Sequence, residues 1–172
     1  LLSIGRYCYP KNFYYFPEIC SLLLNGGIDV KWYIIGFGPD EEKIRKRIRA
    51  CGMEKNVILL GKKENPYPYI RECDVYVQPS RYEGKSVTVR EAQMLSKPVV
   101  ITAYATADSQ LENNVDGLIV PMDNESCAKA IAELLKNKKL CLELSENCKK
   151  RDYSNSKEAQ KLLSFSEPEA EN

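Results

Sequence analysis

The chain of 172 residues contains no histidine. This absence excludes the commonest general base, nucleophiles activated by a Ser-His or Cys-His pair, and every metal site with a histidine ligand. If the chain is catalytic, it therefore works with carboxylates, lysine, arginine and backbone amides, or a partner supplies the missing group.

Long apolar runs and paired cysteines are missing too. No stretch approaches the roughly 18 apolar residues that a membrane span needs. Residues 1–5 are too short for a signal peptide and enter a strand directly, so we expect a piece of a longer chain.

The cysteines are odd in number and form no CxxC motif. This argues against disulfides or a zinc ribbon and favours small buried residues in a reducing compartment. They are Cys8, Cys20, Cys51, Cys73, Cys127, Cys141 and Cys148.

An excess of one charge is also absent. The 25 Lys and Arg residues nearly cancel the 24 Asp and Glu residues, leaving +1, which indicates no general affinity for nucleic acid or anionic membranes. With 44% hydrophobic and 28% charged residues, the composition is that of a globular protein. The length predicts one domain over residues 1–163, and we expect the acidic, apolar-poor residues 164–172 to be a flexible tail.

The apolar pattern predicts the fold class. Short β-rich runs alternate with helical segments, which indicates a doubly wound, Rossmann-like α/β fold with a parallel sheet covered on both faces. The predicted strands are residues 1–4, 32–35, 57–60, 75–77, 99–101 and 118–120. The predicted helices are residues 13–25, 40–50, 126–136 and 139–150, with another opening after Gly84. Pro17 leaves two alternatives for the first helix, which either begins there or is kinked.

Ligands of parallel sheets bind beyond the carboxyl ends of the strands, so the residues that follow each strand are the candidates for a site. Arg6 and Lys11 follow the first strand and could hold phosphate oxygens, or they could be two solvated cations. Gly36 and Gly38 follow the second strand as a lone GxG, which predicts a tight strand-to-helix turn rather than a dinucleotide site.

The loop after the third strand, Gly61 and Lys62 onward, lies at the same edge, where its backbone could meet a flat base. Tyr67 and Tyr69 could stack on a ligand, but packing is the favoured interpretation.

The segment after the fourth strand is the densest candidate. Gly84 permits a sharp turn and a close backbone approach, and the N–H groups at the start of the next helix form an anion site. Glu83 and Glu91 make sense as acceptors for sugar hydroxyls on either side of a diphosphate. A phosphate between this helix and the cations Arg6 and Lys11, with hydroxyls on two glutamates, describes a nucleotide sugar.

A structural alternative competes with this hypothesis. Thr88 and Glu91 also fit a capping box, in which the threonine accepts from the backbone and the glutamate reaches back to it. Glu83 would then be an ordinary loop carboxylate.

The ordered motifs resemble the C-terminal, donor-binding domain of retaining glycosyltransferases with two Rossmann domains, the GT-B fold, in the large family 4 (group 1). The resemblance covers about residues 1–150. It depends on Ile4-Gly5-Arg6, Lys11-Asn12, Ile35-Gly36-Phe37-Gly38-Pro39, Leu60-Gly61, residues 73–80, Lys97-Pro98-Val99-Val100 and residues 116–120. Glu83 and Glu91 match the family's E-x7-E signature, although Lys85 and Ser86 stand where many members have an aromatic residue and glycine.

The resemblance implies roles for these residues. Arg6 and Lys11 match the pair that neutralises the donor diphosphate, Glu83 matches the contact to the transferred sugar, and Glu91 matches the contact to the ribose hydroxyls. The implied catalytic residues are Arg6, Lys11 and Glu83. The implied donor-binding residues are Gly5, Gly61, Lys62, Gly84, Lys85, Ser86, Val87 and Glu91.

The resemblance also implies an NDP-sugar donor, most often UDP-linked, with no metal and no cofactor. Retaining transfer would go to a glycan or lipid-linked acceptor in polysaccharide or glycoconjugate synthesis. The partner would be an N-terminal Rossmann domain absent from this chain, or a separate subunit, without which transfer is weak or absent. The expected location is the cytoplasm, with a peripheral position at the inner membrane face as a further implication.

Two other classes of function stay open. A non-catalytic nucleotide-binding module with the same fold would bind nucleotide without transferring sugar, even with the missing half restored. An interaction domain would bind no nucleotide.

Overall fold

The computed structural model describes residues 1–153. The predicted tail at 164–172 and the last ten residues of the predicted domain lie outside the described residues. The described part folds as an α/β domain with one six-stranded parallel sheet.

The sheet has the order β3-β2-β1-β4-β5-β6. The strands are β1 (Leu2–Ile4), β2 (Trp32–Ile35), β3 (Val57–Gly61), β4 (Tyr76–Gln78), β5 (Val99–Thr102) and β6 (Leu118–Val120). Each predicted strand agrees to within one residue at either end, and the predicted doubly wound, Rossmann-like fold class is confirmed. The chain order reverses direction between β1 and β4, so the crevice for a ligand is expected beyond the carboxyl ends of those two strands.

Seven α-helices connect and cover the described strands. They are α1 (Phe16–Asn25), α2 (Glu41–Ala50), α3 (Tyr67–Glu72), α4 (Val87–Met94), α5 (Ala107–Gln110), α6 (Asn124–Lys136) and α7 (Lys138–Lys150). Pro17 occupies the first turn of α1, so the helix begins there and is not kinked. Two 3-10 turns, Tyr9–Lys11 and Phe13–Tyr15, fill the space between β1 and α1. The short helices α3 and α5 were not predicted.

Alternating strand residues feed two apolar cores, one on each face of the sheet. Ile34, Val77 and Val100 pack with α1, α2 and α6, whereas Ile35 and Ile101 pack with α3, α4 and α5. Strands buried on both faces are apolar at nearly every position, which is why these segments read as short continuous runs rather than as alternating ones.

A buried carboxylate ties the end of α7 back to the domain. Asp116 has its side chain 1% exposed and forms an ion pair with Arg151. It also accepts hydrogen bonds from the Tyr153 hydroxyl at 3.2 Å, from Gln93 on α4 at 3.2 Å, and from the backbone amide of Glu112 at 2.7 Å. These donors supply the partners that a buried charge requires, and they hold the end of α7 against the domain.

Candidate functional site

The loops that follow β1 and β4 meet at the switch point of the sheet. β1 and β4 are hydrogen-bonded neighbours, with Leu2 opposite Tyr76. The loop after β4 is held against the loop after β1, since the Arg81 amide donates to the Pro10 carbonyl at 2.8 Å. The cations predicted after β1 and the carboxylates predicted after β4 are thus brought to one crevice.

The loop after β1 is clamped by the loop after β2. The Gly5 amide donates to Ile35 O at 3.0 Å, and the Tyr7 amide donates to Phe37 O at 2.9 Å. A Cβ on Gly36 would lie 1.9 Å from the Gly5 carbonyl oxygen, and one on Gly38 would lie 2.4 Å from the carbonyl oxygen of Tyr7. The predicted tight turn is present, and its glycines are required by this backbone contact.

The two predicted cations have different environments. Lys11 is partly buried, and its Nζ lies 2.5 Å from Glu83 Oε1. Arg6 is exposed, and its side chain makes no hydrogen bond or ion pair within residues 1–153. Lys11 is therefore held toward Glu83, whereas the Arg6 guanidinium is available to an anion.

Glu83 is fixed by three donors on one oxygen. Its side chain is 8% exposed, and Oε1 accepts from Lys11 Nζ, from Ser80 Oγ at 2.7 Å and from Gln78 Nε2 at 3.3 Å. Gln78 and Ser80 are fully buried and bonded to each other at 2.9 Å. Because charged hydrogen bonds are strong when shielded from water, this carboxylate is oriented before any ligand arrives.

The turn that follows Glu83 is held by the segment after β5. Thr106 Oγ1 donates to the carbonyl oxygens of Glu83 and Gly84 at 2.7 and 2.8 Å. Gly84 lies in a bend, but a Cβ there would meet nothing within 4 Å, so the chain itself does not require glycine at this position. The close approach of a ligand to Gly84 stays a prediction. Lys85 beside it is exposed.

The Ser86 amide, predicted to bind phosphate, already has an acceptor. Gln110 Oε1 accepts from it at 2.7 Å, and both residues are buried. Val87, the first residue of α4, is 68% exposed, and its amide has no acceptor within residues 1–153. The unpaired amides of this helix start therefore begin at Val87 and not at Ser86, and anion binding there stays a prediction.

Glu91 lies at the open side of the crevice and does not form the capping box. Its Oε1 accepts from the Tyr67 hydroxyl of α3 at 3.0 Å, and this hydrogen bond raises the pKa of Tyr67 above its usual value. Thr88 Oγ1 instead contacts Ser86 Oγ at 3.2 Å and donates to the Ile4 carbonyl at 3.4 Å. The capping-box interpretation is therefore wrong, because α4 already begins at Val87 with Ser86 as its N-cap, so Thr88 lies inside the helix.

Gly61 and Lys62 border the same opening. The Gly61 carbonyl accepts from the Gly36 amide at 3.0 Å, and Lys62 Nζ lies 5.9 Å from the centroid of the exposed Phe37 ring. Packing was the favoured interpretation for Tyr67 and Tyr69, but both rings are exposed. The Tyr67 ring thus offers an apolar face near Glu91, whereas Tyr69 lines a separate cavity with Leu1 and Asp74.

Sequence reasoning missed the contribution of the segment after β5. Thr106 and Gln110 hold the turn, and Tyr104 is buried with a hydroxyl that has no hydrogen-bond partner within residues 1–153. Burial and, secondarily, the charge of Glu83 raise the pKa of Tyr104 above its usual value. Thr106 could have been found from the sequence, because it follows the end of the predicted fifth strand. No sequence feature indicated Gln110.

Two further properties concern the described residues as a whole. Within residues 1–153, no three His, Cys, Asp or Glu side chains are grouped so that they could hold a metal ion. No helix in that range is long and apolar enough to cross a bilayer.

A cavity of about 670 Å³ lies at the opposite edge of the sheet from the crevice, where Leu1, Lys31 and Asp74 precede their strands. It is mostly apolar and contains none of the predicted site residues.

The fold and the crevice define a Rossmann-like α/β domain with its charged groups at the switch point. The sequence profile of the family described as glycosyl transferases group 1 matches residues 1–151. The chain belongs to that family.

Curated relatives include two bacterial enzymes. The chain is 30% identical over 142 residues to an N-acetylgalactosamine-N,N'-diacetylbacillosaminyl-diphospho-undecaprenol 4-alpha-N-acetylgalactosaminyltransferase of Campylobacter jejuni, matching 81% of this chain and 38% of that protein. It is 28% identical over 149 residues to a poly(ribitol-phosphate) alpha-N-acetylglucosaminyltransferase of Staphylococcus aureus, matching 85% of this chain and 30% of that protein. The chain thus spans only about a third of these relatives.

Solved structures with the same fold include a mutant of S. aureus TarM in complex with fondaparinux, alpha-GlcNAc-glycerol and UDP. Its TM-score is 0.88 at 27% identity, and the match covers 96% of this chain and 35% of that one. The C-terminal domain of a group 1 glycosyl transferase (LpcC) from Francisella tularensis matches with a TM-score of 0.75 at 21% identity, covering 87% of this chain and 82% of that one. The second likeness concerns the fold alone.

Proposed function

We propose that this domain binds the NDP-sugar donor of a retaining glycosyltransferase, with UDP as the nucleotide. The observation that carries the proposal is the meeting of two cations and two carboxylates at the β1/β4 switch point. Lys11 and Glu83 are in direct contact, Arg6 is exposed in the same loop as Lys11, and Glu91 lies on the first turns of α4. Cations for a diphosphate and acceptors for hydroxyls are the groups that a nucleotide sugar requires.

The roles follow from these environments. Arg6 and Lys11 neutralise the diphosphate and stabilise the charge on the leaving nucleoside diphosphate, which is electrostatic catalysis without a metal ion. The amide of Val87 at the start of α4, which has no acceptor within residues 1–153, supplies a phosphate donor. Glu83, oriented by its three donors, accepts a hydroxyl of the transferred sugar, and Glu91 accepts the ribose hydroxyls.

We infer that the chain is the C-terminal half of a GT-B enzyme of family 4. Two observations support this placement: the chain spans about a third of its relatives, and it covers most of a solved C-terminal domain with the same fold. An N-terminal Rossmann domain, in the same protein or a partner subunit, would then carry the acceptor site. Efficient transfer would then require both halves, because the donor and the acceptor are bound by different domains.

The reaction class is supported by the names of the relatives. Both transfer an alpha-linked N-acetylhexosamine, one to a diphospho-undecaprenol glycan and one to poly(ribitol phosphate). Formation of an alpha linkage from an alpha-configured UDP-sugar is retention. We extend this class to the present protein, with polysaccharide or glycoconjugate synthesis at the cytoplasmic side of the membrane as its setting.

Thermal unfolding of the 172-residue chain with UDP, GDP or ADP, in the absence of metal, tests the proposal. A ligand at about 100 times its Kd adds about 2.7 kcal/mol of stability. For a domain of this size that is a rise of roughly 5–11 °C in the midpoint. We expect the rise with UDP and a smaller one with GDP and ADP.

Substitution of Glu91, the proposed acceptor for the ribose hydroxyls, tests where the nucleotide binds. Glu91→Ala should weaken UDP binding by about 1–3 kcal/mol, because a charged hydrogen-bond acceptor is lost. Glu133→Ala, at an exposed position of α6 away from the crevice, is the matched control and should leave the affinity unchanged. Equal UDP affinity of Glu91→Ala and the unsubstituted chain would reject the ribose assignment, and no shift with any nucleotide would favour an interaction domain.

A further inference from the structure

A hydrogen bond joins α3 to α4 at the open side of the crevice, beside the carboxylate proposed to hold the ribose. Tyr67 is the first residue of α3, and its hydroxyl donates to Glu91 Oε1 on α4 at 3.0 Å. Both helices pack in the same apolar core, through Ile70 and Val89. The roles assigned above to the donor-binding residues do not explain why a tyrosine contacts Glu91.

The backbone of Tyr67 is fixed, although its side chain is 49% exposed. Its amide donates to Asn65 Oδ1 at 3.1 Å, and Pro66 and Pro68 on either side restrict the local backbone. One turn further along α3, the fully buried Ile70 anchors the helix in the core. The exposed ring therefore projects from a well-supported position at the rim of the crevice.

Glu91 can accept a ribose without releasing Tyr67. A carboxylate has two oxygens with about four lone-pair sites. Tyr67 uses one site on Oε1, and Oε2 has no hydrogen-bond partner within residues 1–153. The two neighbouring hydroxyls of a ribose fit the remaining sites, one on each oxygen. The tyrosine hydroxyl thus orients this carboxylate without blocking it.

This orientation favours binding of the ribose. Fixing a mobile side chain on a ligand costs free energy, and a carboxylate that is already held by a neighbour has lost part of that mobility. The hydrogen bond to Glu91 raises the pKa of Tyr67 above its usual value, so the hydroxyl stays protonated and remains a donor at neutral pH. One exposed hydrogen bond biases the carboxylate toward a single orientation and still lets a ligand adjust it.

The Tyr67 ring offers a second contact to the same ligand. Because its hydroxyl touches Glu91, any ribose held by Glu91 lies beside the ring. The base of a nucleoside is attached to the ribose carbon next to the one that bears the 2′-hydroxyl, so the base is also close. The loop that begins at Gly61, whose backbone is expected to meet the base, leads directly into Tyr67. Bases of every kind stack on exposed aromatic rings.

We propose that Tyr67 is a further nucleoside-binding residue of the donor site, whose hydroxyl orients Glu91 for the ribose and whose ring stacks on the base. The inference rests on the proposed function, since it concerns the same nucleotide. It predicts two separable contributions. The ring contributes to the binding of any nucleotide at this site, whereas the hydroxyl contributes only when the ribose carries hydroxyls for Glu91.

Calorimetric titration of the 172-residue chain with UDP and with 2′,3′-dideoxy-UDP, which lacks both ribose hydroxyls, separates the two contributions. We expect Tyr67→Phe to weaken UDP binding about two- to tenfold and to leave dideoxy-UDP binding unchanged. Tyr67→Leu should weaken the binding of both nucleotides by at least about fivefold. Tyr69→Leu is the matched control and should change neither affinity, because Tyr69 is also exposed but lines the separate cavity with Leu1 and Asp74.

A second comparison uses UDP alone. In the Glu91→Ala background, Tyr67→Phe should have no further effect on UDP affinity, because the hydroxyl acts through the missing carboxylate. Urea unfolding checks that each variant is folded. If Tyr67→Leu does not fold, the ring contact is measured in the unsubstituted chain as an upfield NMR shift of the Tyr67 ring protons on addition of dideoxy-UDP.

The remaining outcomes distinguish failure of this inference from failure of the proposed function. Equal UDP affinity of Tyr67→Phe, Tyr67→Leu and the unsubstituted chain would overturn the inference and leave the donor site in place. Equal weakening of UDP and dideoxy-UDP by Tyr67→Phe would overturn the action of the hydroxyl through Glu91. A loss of affinity in Tyr69→Leu as large as in Tyr67→Leu would overturn the ring contact. Binding of neither nucleotide by the unsubstituted chain would reject the donor site and this inference with it.

Discussion

Glu83 and Glu91 are eight residues apart and bear the same carboxylate, yet their surroundings differ in almost every respect. Glu83 is nearly buried, and one of its oxygens accepts from Lys11, Ser80 and Gln78. Glu91 is partly exposed and accepts from one exposed hydroxyl, that of Tyr67. The fold sets the position of the first carboxylate, whereas a ligand can turn the second. The inner half of the crevice is therefore built into the domain, and the outer half is adaptable.

The largest expected effect tests whether the loop after β1 belongs to the part of the crevice whose geometry the fold fixes. In Gly36→Ala the new methyl group would overlap the Gly5 carbonyl, so we expect a loss of more than about 4 kcal/mol or no folding, measured by urea unfolding. Gly84→Ala, where the space is open, should stay within about 0.5 kcal/mol. Similar stabilities for the two variants would show that the loops after β1 and β2 can separate.

The next effect compares the glutamates directly. Glu83→Ala leaves two buried donors, on Ser80 and Gln78, without their acceptor and should cost about 2–3 kcal/mol in the free energy of unfolding. Glu91→Ala removes only an exposed contact and should change stability by less than about 0.5 kcal/mol. If the two variants unfold at the same urea concentration, the distinction between a fixed and an adaptable half is wrong.

The smallest effect concerns the hydrogen bond between Tyr67 and Glu91. Tyr67→Phe should change stability by less than about 0.5 kcal/mol, since the lost hydrogen bond is exposed. Because that bond raises the pKa of Tyr67, Glu91→Ala should lower it toward its usual value, which NMR titration of carbon-labelled tyrosine measures. An unchanged pKa in Glu91→Ala would mean that the two side chains do not interact in solution.

The sequence predicted elements whose cause is local. Strands buried on both faces are short apolar runs, and Pro17 marks the first turn of α1, so both were readable. The short helix α3 was missed because Pro66 and Pro68 surround its first residue and masked the helical pattern. The end of each strand could also be predicted from the sequence, and this placed Arg6 and Glu83 at the same edge of the sheet.

Contacts between segments that are distant along the chain could not be predicted. Gln110 reaches the Ser86 amide only because β5 lies beside β4, a fact about sheet order and not about either residue. The Thr88 and Glu91 pattern was misleading as well: the local pair satisfies a capping box on paper, but α4 already begins at Val87, and Tyr67 and the Ile4 carbonyl are the partners in space. The order of the strands in the sheet decides which of these partners are close enough to bond.

The Asp116 cluster has a consequence for where this domain ends. The family profile stops at residue 151, and the last helix of the described residues stops at Lys150. A protein trimmed at either point would bury the Asp116 carboxylate without the Tyr153 hydroxyl, and trimming at Lys150 would also remove its counter-ion Arg151. Among the described residues, the solvation needs of this one carboxylate are met only when the chain extends to Tyr153, so an expression boundary for this protein belongs beyond that residue.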